Sequence, residues 1–364
     1  MLLSALLEDV DPICVTVPED FEIASIDTNA HAVGPNSLFV VLPPSLALPH
    51  NDVTVALTRG AAAILSQVCV SKQARGQILV SSTPIALGRM LSTFHGRPSS
   101  KLKLLAITGT NGKTTVTWLV RHILRSIGIR CGIIGSLGAG INDELIPFNR
   151  TTPPPHILQP ILAGMHAAGI SHVCLEASSH GLALDLLAGT RILIGGMTNL
   201  TRDHLDFHGS FQAYAEAKAL LFKEFVSLAC FNVDDATAER FLHDFKGRSL
   251  SVSSAGKPAN LVLTRIGPYP GGSQLRATYG SASERFTLPL LGAHNVANAA
   301  MAMGMSLLAG VELTDIIAAL ETAVAPPGRL SKISTRPTIF IDYAHIPLQF
   351  LIPAPVNHAK SAGA

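Results

Sequence analysis

The chain has 364 residues, enough for two or three domains that each bury a core of their own. Hydrophobic residues make up 48% of it and charged residues 14%, and the formal net charge is +2, so there is neither the basic footprint of a nucleic-acid-binding protein nor an acidic tail. The 5 cysteines are scattered and form no C-x-x-C pair, which favours a reducing compartment over a disulfide framework or a zinc knuckle.

The first section of the chain, residues 1–98, mixes short strand-like runs with turns. NSLFVVLP and AAAILSQ predict strands, TPIALGRMLSTFHG predicts a helix that ends at Gly96, and RPSS at 97–100 predicts a linker. The N-terminal sequence MLLSALLEDVD is acidic and has no basic start, so it does not resemble a signal peptide. The apolar run ANAAMAMGMSLLAGVEL is too short to span a bilayer. We therefore expect a cytoplasmic protein.

From Lys101 onward, predicted strands alternate with predicted helices. The strands are KLKLLAIT, CGIIGS, SHVCLEAS, ILIGGMTNL and LACFNVDD, and the helices are KTTVTWLVRHILRSIG, HILQPILAGMHAAG and GAHNVANAAMAMGMSLLAG. Short apolar strands separated by helices are typical of a buried, mostly parallel sheet, so the predicted fold class is α/β. Residues 262–290 look antiparallel instead, and TIFIDYAH is the last predicted strand. The first helix carries apolar residues at helical spacing: Val116, Leu119, Val120, Ile123 and Leu124.

The sequence ITGTNGKTT, residues 107–115, joins a predicted strand to a predicted helix. It is a compressed form of the phosphate-binding loop G-x-x-x-x-G-K-[ST], with the first glycine moved to Gly109. Such a loop surrounds an anion with backbone N–H groups and a helix N-terminus, and its lysine reaches the β- and γ-phosphates. A plain glycine turn with a surface lysine is the alternative. The predicted nucleotide-binding residues of the loop are Gly109, Thr110, Asn111, Gly112, Lys113, Thr114 and Thr115, with a threonine hydroxyl for Mg²⁺.

Polar clusters follow two other predicted strands, and ligands of open α/β sheets bind beyond the carboxyl ends of the strands. Glu176 ends one strand, just before Ser178-Ser179-His180, and Asn199 ends another, before His204 and His208. A carboxylate and an imidazole at that edge can hold Mg²⁺, although Glu176 is equally compatible with a surface charge. The His-x-Asp-x-His spacing is also compatible with a zinc site, but the sequence offers no cysteine and no suitably spaced third ligand to support one. Both His180 and His208 are compatible with packed, hydrogen-bonded side chains.

Nine motifs together resemble the Mur ligases of bacterial cell-wall synthesis. Any one of them is weak, but their shared order is specific, and the resemblance covers roughly residues 25–345. The Ser-Ser-His and Asp-His-Leu-Asp-x-His versions are similar to the MurE branch. The motifs are GTNGKTT (109–115), TTP (151–153), LEASSHGL (175–182), TNLTRDHLDFHGS (199–210), YAEAKALLF (214–222), NVDD (232–235), GAHNVANAAMA (292–302), GRL (328–330) and DYAH (342–345).

The resemblance implies a ligase that uses ATP and Mg²⁺ to convert a carboxylate into an acyl phosphate, which an amine then attacks. By analogy, Lys113 stabilises the transferring phosphoryl group, and Lys218 is carbamylated by CO₂ to become an anion for a second Mg²⁺. Without the resemblance, Lys218 would be interpreted as a solvated helix lysine. The implied catalytic residues are Lys113, Lys218 and His204; the implied metal ligands are Thr114, Glu176, His204 and Lys218; the implied further ATP contacts are Asn298, Arg329 and Asp342, with His345 beside them.

The same resemblance implies the substrates, UDP-N-acetylmuramoyl-L-alanyl-D-glutamate and a diamino acid, with meso-diaminopimelate as the family expectation. Its implied contacts are Ile26 and Thr28 for UDP, and Thr151, Thr152 and Ser178 for the muramoyl-peptide. The sequence departs from the family where Thr28 replaces a serine, Asn29 an arginine and Leu186 an arginine, and where an Asp-Gly-His stretch reads Leu48-Pro49-His50. Peptidoglycan synthesis, and with it cell shape and division, would be the process served.

Three domains are expected: an N-terminal UDP-binding α/β domain at 1–98, a central ATP-binding domain with a mostly parallel sheet at 99–330, and a remnant of a C-terminal α/β domain at 331–364. Past Asp-Tyr-Ala-His, the tail LQFLIPAPVNHAKSAGA departs from the family and suggests a truncation, a frameshift or a short variant. We expect such a chain to be a monomer that binds no nucleic acid or membrane and turns over little. Two alternatives stay open: a nucleotide- or precursor-binding fragment without turnover, and a folylpolyglutamate synthase-like ligase.

Overall fold

The protein consists of two units. The first contains Met1–Lys103, Thr152–Ser171 and Ser179–Arg191, and the second contains Leu104–Thr151, His172–Ser178 and Ile192–Ala364. The structure is a computed structural model that describes residues 1–17, 19–46, 52–70, 76–142, 144–335 and 338–343. Assigning 152–171 and 179–191 to the first unit departs from the sequence order, and the three-domain division stays a prediction. The stretch Leu48-Pro49-His50, His345 and the tail after it lie outside the described residues.

The first unit contains a five-stranded sheet with strand order β1-β5-β4-β3-β2, in which β1 is antiparallel to β5 and the other neighbours are parallel. Its strands are β1 Pro12–Val15, β2 Ser25–Asp27, β3 Ser37–Val40, β4 Ala61–Ser66 and β5 Gln77–Val80. Numbered along the whole chain, its helices are α1 Leu3–Leu7, α2 Val53–Thr58, α3 Thr83–Phe94, α5 Pro155–Ala167 and α6 Ser179–Ala183, with a 3₁₀ turn at Pro98–Ser100.

The predicted strands and helices of the first unit bury their apolar residues in a shared hydrophobic core. All four residues of β3 are buried, as expected for a central strand of a parallel sheet. Helix α3 begins after Ser82, whose hydroxyl accepts a hydrogen bond from the backbone N–H of Ile85, with Pro84 in its first turn. The helix therefore starts and stops close to where its sequence predicts.

The second unit is built on a ten-stranded sheet with strand order β15-β14-β13-β12-β11-β10-β6-β9-β7-β8. Strands β10, β6, β11 and β12 run parallel, while β13, β14 and β15 are antiparallel, as residues 262–290 predict. The strands are β6 Lys103–Thr108, β7 Cys131–Gly135, β8 Gly138–Gly140, β9 His172–Glu176, β10 Ile194–Met197, β11 Leu228–Asn232, β12 Arg248–Ser253, β13 Leu261–Tyr269, β14 Gly272–Tyr279 and β15 Ala282–Leu288. A separate hairpin pairs β16 Ser331–Thr335 with β17 Thr338–Ile341.

Several helices of the second unit pack on this sheet. They are α4 Lys113–Ser126, α7 Leu205–His208, α8 Phe211–Leu220, α9 Ala236–Asp244, α10 Ala293–Leu308 and α11 Leu313–Leu320, with a π-helical turn at Leu221–Phe225. The five apolar residues predicted to line one face of α4 are completely buried, in one cluster with α10 and the antiparallel strands. That packing confirms the α/β fold expected from the sequence. Among the described residues, no helix is long and apolar enough to cross a membrane.

Strand register places the functional loops together. Met197, the last residue of β10, lies opposite Thr108, the last residue of β6, and Phe231 of β11 lies opposite Met197. Because these strands are parallel, their carboxyl ends open onto the same edge of the sheet. The loop after Thr108 and the loop after Met197 are therefore direct neighbours.

Candidate active site

The loop between β6 and α4 is held by the loop that follows β10. The Thr198 hydroxyl donates to the carbonyl of Asn111 at 2.6 Å, and the Asn111 N–H donates to the side-chain oxygen of Asn199 at 3.0 Å. The Thr110 N–H donates to the backbone carbonyl of Asn199 at 2.8 Å. The loop conformation is therefore fixed from outside by the neighbouring strand.

The loop can follow this path only because two of its residues are glycines. Gly109 has φ +140° and Gly112 has φ +87°, in the range that residues with a Cβ rarely adopt. A Cβ on Gly109 would lie 1.8 Å from the Thr198 hydroxyl oxygen, and one on Gly112 would lie 2.3 Å from Oδ1 of Asn298. The shifted glycine of the compressed motif is thus required by contact with Thr198, the residue that follows β10.

We expect Gly109→Ala to destabilise the fold by about 2–4 kcal/mol, because it combines backbone strain with overlap against Thr198. Gly128→Ala is the matched control, since Gly128 has φ +80° and a Cβ added there would meet no atom of the described residues within 4 Å. That control should lose about 1 kcal/mol, from backbone strain alone. Urea unfolding of both variants measures the difference. Equal losses would show that the contact with Thr198 adds nothing.

Lys113 begins α4 and folds back over the loop. Its ammonium donates to the carbonyls of Gly109 and Thr110, both at 2.9 Å. Burial lowers the pKa of Lys113 below the usual value for lysine, and the nearby Glu176 carboxylate partly opposes that shift. The structure thus places a lysine amine at the helix N-terminus, where an anion would also meet the positive end of the helix dipole.

Glu176 ends β9 as a carboxylate that is only 1% exposed. It accepts hydrogen bonds from the Thr114 hydroxyl at 3.1 Å, from the Ser136 N–H at 2.9 Å and from the Ser136 hydroxyl at 3.1 Å. This rules out an unconstrained surface charge. One carboxylate with neighbouring hydroxyls fits Mg²⁺, which takes few protein ligands and completes its shell with phosphate and water. No group of three His, Cys, Asp or Glu side chains that could hold a metal occurs within the described ranges.

Lys218 lies behind the loop between β6 and α4, which we call the phosphate-type loop, and not on the solvent-exposed surface of α8. It is 1% exposed, its amine donates to the carbonyl of Gly109 at 2.8 Å, and it lies 4.7 Å from the ring centre of Tyr214. Burial, and next the nearby Lys113, lower the pKa of Lys218 well below the usual value. The interpretation of Lys218 as a solvated helix lysine is therefore wrong.

His204 lies in the loop that follows β10, at a strained backbone position. Its backbone φ is +51°, left-handed and uncommon for a residue other than glycine. Its Nε2 lies 3.5 Å from a carboxylate oxygen of Asp203, and its side chain is 45% exposed. His208 instead packs its ring 5.1 Å from that of Tyr214 and 4.8 Å from that of Phe207. Of the two histidines, His204 alone lines the cleft described next.

Lys113, Glu176 and His204 line a cleft of about 510 Å³ whose lining residues all belong to the second unit. It contains most of the predicted loop and metal residues, but Gly109, Ser178, Lys218, Asn298 and Asp342 do not line it, nor do the first-unit residues Ile26, Thr28 and Thr152. The predicted site residues that line it are Thr110, Asn111, Gly112, Lys113, Thr114, Thr115, Thr151, Glu176, His204 and Arg329.

The three further nucleotide contacts implied by the resemblance take different positions. Asn298, in α10, lies behind Gly112 and donates to the side-chain oxygen of Asn295 at 3.0 Å. Arg329 lines the cleft with its guanidinium 4.6 Å from the ring centre of Tyr343. Asp342 accepts a hydrogen bond from the Leu330 N–H at 3.0 Å, which brings it close to the residue that follows Arg329.

Sequence reasoning missed Ser136 and Tyr214. Ser136 directly follows β7, so the same strand-end argument that selects Glu176 would have found it. Tyr214 stands four residues before Lys218, a spacing that places both on one face of a helix. Its hydroxyl lies 3.0 Å from that of Thr110, and burial raises its pKa to about 12, so it stays protonated at neutral pH.

The family model of the Mur ligase middle domain matches residues 107–306 of this chain. A curated relative from Pseudomonas aeruginosa, UDP-N-acetylmuramoyl-L-alanyl-D-glutamate–2,6-diaminopimelate ligase, is 34% identical over 94% of this chain and 72% of its own length. A solved structure of an enzyme of that name aligns with a TM-score of 0.76 at 29% identity, over 86% of this chain and 65% of the solved chain.

A more distant likeness has the same fold. Folylpolyglutamate synthase from Mycobacterium tuberculosis, solved in complex with ADP and AMPPCP, aligns with a TM-score of 0.60 at 19% identity, over 72% of this chain and 68% of that one. Identity at this level shows the fold alone. The middle-domain match and the identity to the Pseudomonas relative establish the family that the ordered motifs indicated, and this chain belongs to the Mur ligases.

Proposed function

We propose that this chain acts in ATP-dependent amide-bond formation, joining 2,6-diaminopimelate to UDP-N-acetylmuramoyl-L-alanyl-D-glutamate in peptidoglycan synthesis. The observation that carries the proposal is the convergence of Lys113, Glu176 and His204 on one cleft, with Lys218 buried behind its loop. The names of the 2,6-diaminopimelate-adding relatives support the choice of substrates.

The reaction needs activation because a carboxylate carries a poor leaving group. Transfer of the γ-phosphoryl group of ATP to the carboxylate gives an acyl phosphate, and attack by the amine then expels phosphate. Negative charge develops on oxygens in both steps, so the protein acts mainly by positioning groups and supplying cations. The amine of Lys113, at the N-terminus of α4, is the group placed to neutralise the transferring phosphoryl oxygens.

Side chains of the cleft are proposed to hold Mg²⁺. Glu176 would bind the ion directly, with the hydroxyl of Thr114 beside it, and His204 lines the same cleft. When bound, Mg²⁺ neutralises phosphate charge and lowers the barrier to phosphoryl transfer. The hydrogen bonds from Ser136 orient the Glu176 carboxylate before any ion arrives.

Lys218 is proposed to be carbamylated. Its depressed pKa increases the neutral fraction of the amine, the form that attacks CO₂; loss of a proton then leaves a carbamate. The product replaces a buried cation close to Lys113 with an anion, which reverses an unfavourable charge pairing. The carbamate would serve a second Mg²⁺ and would lie beside the ring of Tyr214, whose centre is 4.7 Å from the Lys218 amine.

The residues proposed to bind the precursor are those that the family resemblance selects, and each is described in its own unit. Thr151 lines the cleft with its hydroxyl 3.1 Å from that of Ser136, and Ser178 follows Glu176 by two residues. In the first unit, Ile26 lies in β2 and Thr28 directly follows it, and both are buried, as is Thr152. These residues remain the predicted contacts for UDP and for the muramoyl-peptide.

The proposal is tested by trapping the acyl phosphate. The chain is incubated with ATP, Mg²⁺, UDP-N-acetylmuramoyl-L-alanyl-D-glutamate and hydroxylamine, and the hydroxamate is identified by mass. We expect hydroxamate formation that requires both ATP and the precursor. Binding of both without hydroxamate would support a binding protein without turnover, and trapping that requires a folate instead would support a folylpolyglutamate synthase-like ligase. A parallel reaction with 2,6-diaminopimelate in place of hydroxylamine tests the complete ligation.

Glu176→Gln is expected to remove the Mg²⁺-dependent part of ATP affinity, because the amide keeps the shape of the side chain but not its charge. The gain in ATP affinity on adding Mg²⁺, measured by calorimetry with and without a chelator, should fall about tenfold or more. Glu284→Gln, on the exposed edge strand β15, is the control and should keep the full gain. An undiminished gain in Glu176→Gln would rule out Glu176 as the metal ligand.

A further inference from the structure

A second cavity, of about 430 Å³, lies within the first unit and is lined by three arginines: Arg89, Arg97 and Arg191. Arg89 comes from α3, Arg97 from the turn after it and Arg191 from the segment that precedes β10. The acidic residue in the lining is Asp9. None of these residues belongs to the nucleotide cleft or to the predicted precursor contacts.

The arginines differ in how far their charge is already compensated. Arg97 donates to the carboxylate of Asp9 at 2.8 Å and lies 3.4 Å from that of Glu8. Arg89 donates to the backbone carbonyl of Asp9 at 3.1 Å, which leaves its charge in place. For Arg89 and Arg191, no carboxylate lies within ion-pair distance in the described part of the chain. Among the described residues, these two guanidinium groups therefore line the cavity without an ion-pair partner.

Close backbone packing brings these two arginines together. A Cβ on Gly88 would lie 2.4 Å from the carbonyl oxygen of Ala188, and one on Gly189 would lie 2.8 Å from the backbone nitrogen of Arg89. With glycine at both positions, α3 approaches the 188–191 segment closely enough to place Arg89 and Arg191 on the same cavity. The backbone N–H of Arg191 donates to the Ser99 hydroxyl at 3.0 Å, which fixes that segment on the 3₁₀ turn.

The third arginine is held in a strained conformation. Arg97 has φ +51° and precedes a proline, a position where residues other than glycine normally adopt extended backbone. Its N–H donates to the carbonyl of Ser92 at 2.6 Å, closing the end of α3, and its ion pair with Asp9 holds the side chain at the cavity. Backbone strain of this kind is more frequent at ligand sites than elsewhere.

We propose that this cavity binds a phosphate group, free or carried by a larger molecule. Guanidinium groups match the geometry of phosphate oxygens and bind them through paired N–H donors. The lining supplies three guanidinium groups and the carboxylate of Asp9, and the Glu8 carboxylate, which is not in the lining, also pairs with Arg97. Ser92, Ser99 and Ser100 line the same cavity. The volume exceeds what one phosphate fills, so pyrophosphate is the appropriate probe. The site is separate from the nucleotide loop and does not depend on the proposed ligase function.

Pyrophosphate binding is measured by calorimetry on the chain carrying Lys113→Ala, so that the phosphate-type loop contributes as little as possible. In that background we compare Arg89→Gln with Arg191→Gln, and use Arg285→Gln, on exposed β15, as the control. We expect each cavity variant to weaken pyrophosphate binding roughly tenfold or more, and the control to leave it unchanged. Thermal unfolding of every variant verifies that the fold is kept, and Arg97 is left intact because its ion pair holds Asp9.

A second arm separates free phosphate compounds from lipid head groups. Vesicles of phosphatidylglycerol in phosphatidylcholine replace pyrophosphate, and sedimentation measures binding of the same variants. Pyrophosphate binding that depends on Arg89 and Arg191 supports a soluble ligand, and vesicle binding with the same dependence supports a lipid phosphate. Absence of arginine-dependent binding in both arms, with all variants folded, overturns the proposal.

Discussion

Replacing Lys113 with alanine is expected to weaken ATP binding about 10- to 150-fold, which corresponds to the ~1.5–3 kcal/mol of a hydrogen bond to a charged group. The amine of Lys113 starts α4 and contacts two carbonyls of its own loop, so it lies where the β- and γ-phosphates would meet the helix N-terminus. Turnover should fall further than binding, because negative charge on the transferring phosphoryl group is greatest in the transition state.

The control for that variant is Lys246→Ala, which removes an exposed lysine of the same unit. Calorimetric titration with ATP and Mg²⁺ gives both affinities, and urea unfolding shows whether the loop is still formed. The carbonyl of Gly109 keeps the Lys218 amine as a donor in the variant, so we expect the fold to persist. Unchanged ATP affinity in a folded Lys113→Ala protein would remove the nucleotide assignment of this loop.

The sequence predicts the central sheet well, because buried parallel strands are continuous apolar runs and their helices carry apolar faces. The glycine strand Gly138–Gly140 and the three-residue strand Ser25–Asp27 escape prediction, since neither has an apolar run to signal it. The grouping of 152–171 and 179–191 with the first unit rests on contacts between residues far apart in the chain, which periodicity does not report.

Part of the candidate site is predicted by the principle that ligands of open α/β sheets bind beyond the carboxyl ends of the strands. That principle selects the loop after β6 and Glu176 at the end of β9, and it also selects Ser136, which directly follows β7. The burial of Lys218 was also predictable: Tyr214, Lys218 and Leu221 stand at positions i, i+4 and i+7, the spacing of one buried helix face. The interpretation of Lys218 as a solvated lysine came from electrostatics, because a lysine without an acidic partner is rarely buried unless its function requires it.

Lys218→Met is expected to lower the rate of acyl phosphate trapping by about 10²- to 10³-fold or more, as for other positioned charges whose loss leaves the transition state unsupported. The same substitution should not lower stability at neutral pH. The amine of Lys218 is desolvated and close to Lys113, so its charged form is unfavourable in the folded chain, whereas an apolar side chain of similar length fits the same space. Activity and stability should therefore move independently.

The pH dependence of stability provides the second readout for Lys218. Its pKa is lowered on folding, so between that lowered value and the unfolded value of about 10.4 the unfolded chain binds more protons. The contribution of the Lys218 amine to the free energy of unfolding therefore increases with pH through that window. This increase should be absent from Lys218→Met. Urea unfolding across the window in CO₂-free buffer, with Lys246→Met as the control, measures it. An unaltered pH slope would show that the Lys218 amine is not desolvated as described.

Carbamylation itself is tested by removing the amine and supplying an anion from solution. In Lys218→Ala the truncated side chain leaves room beside Gly109, and a small carboxylate such as acetate can place a negative charge where the carbamate would stand. We expect acetate to restore part of the acyl phosphate trapping in Lys218→Ala and none in Lys113→Ala, because the second variant lacks a cation rather than an anion. Native mass measurement of the unsubstituted protein should show one added CO₂ that is lost on acidification. A fully active protein with an unmodified Lys218 would contradict the carbamate, and the buried amine would then act only as a hydrogen-bond donor to the loop.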